Sequence, residues 1–383
     1  MKFCVFFFIL IHISIHGQQI PIFDKSTQYP MKNIKNDDII SEKTYIPLET
    51  SNDVLLDKDA VLAYVSDKRM LVFNRKLGDI FIFGMNGKIL FKFNRRGPDA
   101  YFYINSVVYD EKNKEVFILD NSSRKIFVFN EEGGFLRTLR IINNIRPTEI
   151  YNYDDQTIMI FDEKQYINTT PVIRIKPTQP FTVHSKKDGT LETIINITMD
   201  KVLAKNLTFE TGPNSANTIQ SVITLPNNKK FGHEFILHDF SLDTIYHLKA
   251  DKSLEPLFVQ SPSVFSASPK IVSVGFLSNN FVYFSMYNWD LLEHKRCIEK
   301  KLSVKFFEKY FVYDLIERKF YQTNLLPGEH NMLDIEKNYC ASLVDAYFLI
   351  NLLKLGRLNG ELKQIAQNLN EEDNQVVELL KYK

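Results

Sequence analysis

The sequence has few of the residues that mark several common protein classes. Only three cysteines occur among 383 residues, and Cys297 and Cys340 are the two outside the N-terminal region, so a disulfide scaffold is excluded. One disulfide between them and two thiols are both compatible with the sequence. The formal net charge is +1, which argues against binding to nucleic acid or to a membrane surface through overall charge. A single tryptophan stands against 31 phenylalanines and 18 tyrosines, a composition that favours β-sheets.

Long hydrophobic runs are missing after the N-terminus. Lys2 precedes the apolar stretch Phe3–Ile15, and Gly17 is a small residue at a suitable cleavage point. This order predicts a signal peptide over 1–17, followed by a lead-in segment over 18–43. The alternatives are a buried helix or a membrane anchor, but the run is short for a span. Cys4 lies too early to carry a lipid, so we expect export without lipidation to the periplasm or envelope, or secretion, with no transmembrane segment after cleavage.

Motifs for common cofactors and nucleophiles are also missing. The sequence contains no Cys-x-x-Cys, P-loop, Gly-x-Gly-x-x-Gly, Gly-x-Ser-x-Gly or Asp-x-Asp-x-Asp-Gly pattern. His233 and His238 are five residues apart, a spacing that places them on opposite faces of a strand rather than together on a metal. Carboxylate pairs such as Asp154 and Asp155 fall in polar turns, where we expect them to be solvated. The sequence therefore predicts no cofactor and no metal site, and its catalytic residues, if any, are unknown.

A repeat with a period of 46 residues is present near the N-terminus. The segment Leu71–Phe93 aligns without gaps on Phe117–Leu139, and Gly87 falls on Gly133. Each copy has three short apolar runs separated by polar turns, and one turn is Asn-Gly or Gly-Gly, which permits the positive φ of tight hairpins. A further apolar run precedes each copy. Four short antiparallel strands in every ~40–50 residues are typical of a β-propeller blade.

The rest of the chain predicts six such blades. The middle runs Ile80–Phe83 and Ile126–Phe129 are apolar at every position, which indicates strands covered on both faces, as in blades packed face to face. Chance similarity between two β-sandwich hairpins is the alternative. Near the C-terminus, helical spacing predicts helix over 342–370, and 375–382 returns to a strand pattern. We expect this strand to close the ring beside Thr44–Leu48, so that the propeller spans 44–383.

Several segments carry a resemblance to a known family. Tyr45–Thr50, Phe117–Leu139, Asp243–Val259 and the C-terminal stretch LNEEDNQVVELLKYK, in this order, resemble the six-bladed β-propeller family of exported Bacteroidota proteins, which is related in fold to NHL-repeat propellers. The linker after the first blade departs from the family pattern, since Arg96–Tyr101 lacks one glycine and the glutamate. The resemblance implies the fold and export; it implies no reaction.

The fold indicates where a site would lie. Propellers bind ligands at the mouth of the central channel, through the loops that enter the innermost strands and those that join the middle strands. Arginine beside tyrosine suits sugars, carboxylates and peptide backbone. The alternative is that these side chains only brace the corner between blades. The candidate ligand-binding residues in these loops are Arg95, Arg96, Tyr101, Tyr103, Arg146 and Tyr151.

These observations favour an exported, non-catalytic propeller that binds a protein partner, a glycan or a peptide at the channel face. The alternative is a propeller enzyme, such as a glycan lyase, hydrolase or lactonase, with residues drawn from several blades. A purely structural role in an envelope assembly is a third possibility. We expect a monomer that binds no nucleic acid.

Overall fold

Most of the strands that the structure describes belong to six antiparallel sheets that follow one another as the blades of a propeller. The structure is a computed structural model that describes residues 19–35, 39–141, 145–163, 167–168, 172–203, 206–210, 218–220, 228–267, 269–289, 296–297, 300, 308–324, 333–336 and 338–383. Each sheet has four strands in sequential hydrogen-bonded order, and one sheet gains a fifth strand. The prediction of a six-bladed β-propeller is therefore confirmed.

Blades are numbered here in chain order, and the strands of each are given from first to fourth. Blade 1 consists of Ala60–Val65, Arg69–Asn74, Asp79–Gly84 and Ile89–Asn94. Blade 2 consists of Ser106–Asp110, Glu115–Asp120, Lys125–Asn130 and Phe135–Arg140. Blade 3 consists of Glu149–Asn152, Thr157–Phe161, Phe181–Ser185 and Leu191–Ile194. Blade 4 consists of Lys229–Phe231, Glu234–Leu237, Thr244–Leu248 and Leu254–Ser261. Blade 5 consists of Lys270–Leu277, Phe281–Asn288, Glu308–Asp314 and Lys319–Thr323. Blade 6 consists of Leu333–Glu336, Tyr339–Val344, Val376–Tyr382 and Ile40–Pro47.

The seams between neighbouring blades hold the hydrophobic core. In the third strand of blade 1, Ile80 and Ile82 pack in the cluster shared with blade 2, whereas Phe81 and Phe83 pack in the cluster shared with blade 6. All four side chains are fully buried. This confirms the prediction that the continuously apolar strands are covered on both faces. Comparable clusters fill the other seams, and each buried phenylalanine contributes about 1.5–3 kcal/mol.

The ring is closed by strands from both ends of the chain. Val376–Tyr382 pairs on one side with Tyr339–Val344 and on the other with Ile40–Pro47. The predicted closing strand and its partner are thus confirmed, although the N-terminal partner begins at Ile40 and not at Thr44. The helices before it are α1, Ala346–Lys354, and α2, Gly360–Gln367. Helix does not begin at Ser342, because 342–344 are paired in the sheet.

The lead-in segment is also part of the fold. Ile22–Asp24 adds to blade 4 as a fifth strand, parallel to Leu254–Ser261. Phe23 is fully buried and its ring contacts those of Phe258 and Phe284 from blades 4 and 5. The N-terminal segment therefore ties two blades together before it reaches blade 6.

Smaller strands lie in the long connections around blades 3 and 4. They form one sheet of three strands and one of two, and they comprise Ile167–Asn168, Val172–Thr178, Met199–Leu203, Asn206–Glu210 and Thr218–Gln220. Among the described residues, no helix is both long enough and apolar enough to cross a membrane.

Candidate functional site

A polar pocket opens between blades 2 and 3, and its volume of about 350 Å³ is at the small end of the range for ligand sites. Asn105 and Thr148, which directly precede the first strands of blades 2 and 3, form part of its wall. The pocket therefore lies where the chain enters the innermost strands. We call it the blade 2–3 pocket, and it is lined by Asn105, Asn121, Ser122, Arg124, Arg146, Thr148 and Glu163.

Two buried carboxylates fix the linkers that form the pocket. Asp120 is the last residue of the second strand of blade 2, Asp162 directly follows the second strand of blade 3, and both are almost completely buried. Asp120 accepts a hydrogen bond from the Phe102 backbone N–H at 3.2 Å, and Asp162 accepts one from the Arg146 backbone N–H at 3.2 Å. Burial of these carboxylates is tolerated because they accept hydrogen bonds. They hold the backbone of the two linkers in equivalent positions.

A second pair of hydrogen bonds connects each linker to the neighbouring turn. The side-chain oxygen of Asn105 accepts from the Asn121 backbone N–H at 2.8 Å, and Thr148 Oγ1 accepts from the Glu163 backbone N–H at 3.3 Å. These bonds leave the Nδ2 amide of Asn105 and the whole side-chain amide of Asn121 for other partners. The pocket wall is thus positioned by backbone groups, and several side-chain donors remain available.

Two arginines supply the positive charge of the pocket. Arg124 lies in the turn between the second and third strands of blade 2, and Arg146 lies in the linker to blade 3; both are exposed. Neither guanidinium makes a hydrogen bond or ion pair with any residue that the structure describes. Glu163 also lines the pocket. A guanidinium offers planar, bidentate donors that match carboxylates, so this pair can bind an anionic group.

The conformation of Arg124 agrees with the repeat. It has a φ of 53° and occupies the position that Gly78, with a φ of 88°, holds in blade 1. A left-handed conformation costs a residue with a side chain about 1–2 kcal/mol. Lys114, Lys252 and Arg318 are in the same region of φ, so this strain alone does not mark a site. What distinguishes Arg124 is the pocket that it lines.

At the preceding seam, Tyr101 occupies the space above Gly78. Its side chain is fully buried, and its hydroxyl donates to the Gly78 carbonyl at 2.8 Å and accepts from the Arg95 backbone N–H at 3.0 Å. Burial raises the pKa of Tyr101 to about 12. This is the geometry of a brace between blades, which was the alternative interpretation of the loop.

The other predicted residues of this linker also contact the protein. Arg95 Nε donates to the Gly133 carbonyl at 2.8 Å, and Arg96 Nη1 donates to the Lys76 carbonyl at 2.8 Å. Tyr103 is partly buried. None of these side chains lines the blade 2–3 pocket. Their guanidinium bonds join the end of blade 1 to turns of blades 1 and 2.

Of the predicted candidates, Arg146 lines the pocket and Tyr151 does not. Tyr151 lies in the first strand of blade 3, where its hydroxyl donates to the Glu149 carboxylate and its ring meets Phe235 edge-on. Burial, reinforced by the nearby Glu149 carboxylate, holds the pKa of Tyr151 well above its usual range. Tyr151 therefore belongs to the packing between blades 3 and 4.

Arg124, Asn121 and Ser122 were not predicted from the sequence. Asp120–Arg124 has the residue types of an ordinary turn that bonds its own backbone, and Asp120 does accept from the Ser122 backbone N–H at 2.9 Å. The available signal was the repeat itself. At an offset of 46 residues, Arg124 occupies the position that Gly78 holds in the equivalent turn of blade 1.

The first strands also carry buried charges in the centre of the ring. Lys229 of blade 4 lies 3.2 Å from the carboxylate of Asp334 of blade 6, and the two side chains are only 9% and 7% exposed. Gly232 donates its backbone N–H to the Ile335 carbonyl at 2.9 Å, so these two blades touch although blade 5 lies between them in the chain. Burial raises the pKa of Asp334. Removing one partner of such a buried ion pair strongly destabilises a protein.

A second lysine of blade 4 has an unusual environment. Lys230 donates to the carbonyl of Gly232 at 2.6 Å and lies over the ring of Phe235. Burial, with a smaller effect from Lys186 and Lys252, lowers the pKa of Lys230 to about 8. Lys186 has its own partner, Asp110, at 2.5 Å.

The remaining candidates for chemistry are dispersed. His233 lies in a turn and His238 is buried just after the second strand of blade 4. Across the part of the chain that the structure describes, no group of three or more His, Cys, Asp or Glu side chains could hold a metal ion. Cys340 is buried with its thiol 3.3 Å from the Tyr382 hydroxyl and forms no disulfide; burial raises its pKa to about 12.

Solved structures share this architecture. A Bacteroides fragilis protein described as a presumed exported protein is 15% identical in sequence, with a TM-score of 0.61 over 95% of this chain and 100% of that chain. A DUF4221-family member from Bacteroides vulgatus is 11% identical, with a TM-score of 0.49 over 90% of this chain and 97% of that chain. The virginiamycin B lyase of Staphylococcus aureus is 10% identical, with a TM-score of 0.40 over 88% and 99% of the two chains. The first likeness supports the fold; the other two are too weak to support an inference.

The sequence also matches a family over nearly its whole length. The family described as "Domain of unknown function (DUF4934)" matches residues 18–381. Among curated proteins, none matches the chain significantly.

Proposed function

The chain belongs to the DUF4934 family, and from this premise we propose that it is an exported propeller without catalytic activity that binds a glycan or peptide ligand in the blade 2–3 pocket. The observation that carries this proposal is the pair Arg124 and Arg146, whose guanidinium groups line a pocket and make no hydrogen bond or ion pair with a described residue. Polar donors that a rigid scaffold positions and that have no protein partner are available to bind a ligand.

Export is supported by two independent features. The N-terminal sequence has the order of a signal peptide, with Lys2, the apolar stretch Phe3–Ile15 and Gly17. The Bacteroides fragilis protein of similar fold is described as a presumed exported protein. An exported binding module meets extracellular or envelope material, which includes both glycans and peptides.

The position of the pocket fits a binding role. The pocket is built from two linkers and the turn at Asn121–Arg124, all anchored by the hydrogen bonds to Asp120 and Asp162. Loops on a rigid scaffold are the common location of binding residues. Because the anchors are buried and the arginines are exposed, pocket side chains can be replaced without disturbing the seam.

The test is a binding screen on glycan and peptide arrays with the mature chain and two tryptophan variants. Ser122→Trp places a large side chain in the blade 2–3 pocket, and Lys76→Trp is the matched control, since Lys76 is the exposed residue at the equivalent position of blade 1. We expect array hits with the natural chain and with Lys76→Trp, loss of those hits with Ser122→Trp, and similar melting temperatures for all three. If Ser122→Trp binds the same hits, or if nothing on the arrays binds, the proposed function is wrong.

A further inference from the structure

We infer that the ligand of the blade 2–3 pocket is an acidic glycan, whose carboxylate is bound by Arg124 and Arg146. This inference rests on the proposed function and adds the chemical class of the ligand. The two arginines are 22 positions apart in sequence. Arg124 lies in a turn of blade 2 and Arg146 in the linker to blade 3, yet both line the same pocket. One carboxylate between two guanidinium groups can accept several charge-assisted hydrogen bonds.

The rest of the wall favours a ligand rich in hydroxyl groups. Asn121 and Ser122 have no side-chain hydrogen bond to a described residue, and Asn105 keeps its Nδ2 donor. A side-chain amide and a hydroxyl group can each donate to and accept from a hydroxyl group. Asn121 and Ser122 therefore offer both donors and acceptors, as the hydroxyl groups of a sugar require.

Asp120, which bonds the Ser122 backbone in the pocket turn, also holds the backbone of an exposed aromatic residue. Phe102 is 52% exposed, and its backbone N–H bonds Asp120, the residue next to Asn121. An exposed aromatic ring offers an apolar face that can cover the C–H face of a sugar ring. Contact with a sugar ring would remove this exposed apolar surface from water, which favours binding.

A peptide fits this wall less well. Every residue that lines the blade 2–3 pocket is polar or charged. Peptides are recognised through apolar pockets for side chains, through free sheet edges, or through clusters of arginine that read an acidic motif. Only the last of these is compatible with the wall, and it uses the carboxylate in the same way, so an acidic peptide is the competitor that the experiment must include.

The experiment is calorimetric titration of the mature chain with three probes. These are trigalacturonate, its fully methyl-esterified form, which keeps the sugar rings but removes the charge, and an acetylated triglutamate peptide. Because hydrogen bonds to charged groups are worth about 1.5–3 kcal/mol, we expect trigalacturonate to bind at least about tenfold more tightly than its ester. We also expect it to bind more tightly than the peptide, and to weaken as salt is raised.

Variants separate the arginines from general charge. Arg124→Gln and Arg146→Gln should each weaken trigalacturonate by about tenfold or more and leave the ester unchanged. Arg318→Gln is the matched control, because Arg318 has a similar φ of 57° in a turn of blade 5. It should behave as the natural chain does.

Other outcomes overturn the inference in distinguishable ways. Equal binding of acid and ester, or unchanged binding by both arginine variants, excludes the carboxylate contact. Tighter binding of the peptide excludes the glycan class. In either case, if Ser122→Trp abolishes the array hits, the proposed function still holds and only the inference is wrong. If Ser122→Trp leaves the hits intact, the proposed function and the inference are both wrong.

Discussion

Gly133 in the hairpin between the third and fourth strands of blade 2 lies directly against Phe93 in the fourth strand of blade 1. Its φ is 81°, and a Cβ atom at Gly133 would overlap the Cβ and ring of Phe93. The relationship recurs at two other seams, where Gly87 faces the Pro47 carbonyl and Gly189, with a φ of 81°, faces Leu139. The repeated glycine thus permits both the hairpin and the approach of the preceding blade.

Gly133→Ala should destabilise the propeller by about 2–4 kcal/mol, because the left-handed backbone and the overlap with Phe93 both oppose a side chain. Chemical denaturation measures the change. Gly97→Ala is the control, since Gly97 has no atom within 4 Å of an added Cβ and no positive φ, and it should change stability little. Equal effects of the two substitutions would contradict the packing argument.

Tyr101→Phe should cost about 1–2 kcal/mol, because it removes the hydroxyl that donates to Gly78 and accepts from Arg95 while it keeps the buried ring. Ligand binding at the blade 2–3 pocket should be unchanged. Tyr103→Phe is the comparison, because the Tyr103 hydroxyl makes no hydrogen bond to a described residue. Thermal denaturation and a binding assay on both variants check the expectation; a binding loss with unchanged stability for Tyr101→Phe would assign Tyr101 to the site instead.

Asp334→Ala should destabilise the protein by about 3–5 kcal/mol, because it removes the carboxylate that lies 3.2 Å from the buried Lys229 ammonium. Replacing both residues, as Lys229→Met with Asp334→Leu, should cost much less than the single change, since both charges of the pair are then removed together. Urea denaturation of the single and double variants decides the matter. A double variant as unstable as Asp334→Ala would mean that the ion pair itself holds blades 4 and 6 together.

Lys230→Met should change how stability depends on pH. Burial lowers the pKa of Lys230 to about 8, whereas an exposed lysine has a pKa of about 10.4, so between these pH values the unfolded chain binds more protons than the folded one. The natural chain therefore gains stability from Lys230 as pH rises through this window. The free energy of unfolding of Lys230→Met, relative to the natural chain, should be highest near pH 7 and fall towards pH 10.

The control for this measurement is Lys76→Met. Lys76 is exposed and ion-paired with Asp59 at 3.1 Å, and the pairing raises its pKa. Its removal should leave the relative stability flat between pH 7 and pH 10. If the relative free energy of unfolding of Lys230→Met is equally independent of pH, burial does not disfavour the charged form of Lys230 in the folded protein.

Much of the fold could be predicted because it is encoded locally. Hairpins follow from turn residues such as Gly87 and Gly133, and strand burial follows from the apolar runs at Ile80–Phe83 and Ile126–Phe129. Even the ring-closing pair of strands was predictable, since a propeller must pair its last blade and the terminal strands were the segments left over. The helical region was predicted too long at its start, because strand pairing with Val376 and Val377 overrides helical spacing at Leu343 and Val344.

The candidate site was far less predictable. Arginine and tyrosine content pointed to the linker at Arg95–Tyr103, but there the side chains bond the protein's own backbone. At the next seam, Arg146 was predicted and Arg124 was not. Whether an arginine braces a seam or faces a pocket depends on which carbonyl groups lie within its reach, and those belong to segments distant in sequence.

The sequence by itself determined the blades: period, turn glycines and apolar strands depend on interactions between near neighbours, which the order of residues records directly. Only the tertiary structure decided which linker leaves a pocket. The seam between blades 1 and 2 is filled by Tyr101 over Gly78, whereas the seam between blades 2 and 3 brings Arg124 and Arg146 to one cavity. Such a cavity is what remains after side chains from several segments have packed, so no single segment specifies it.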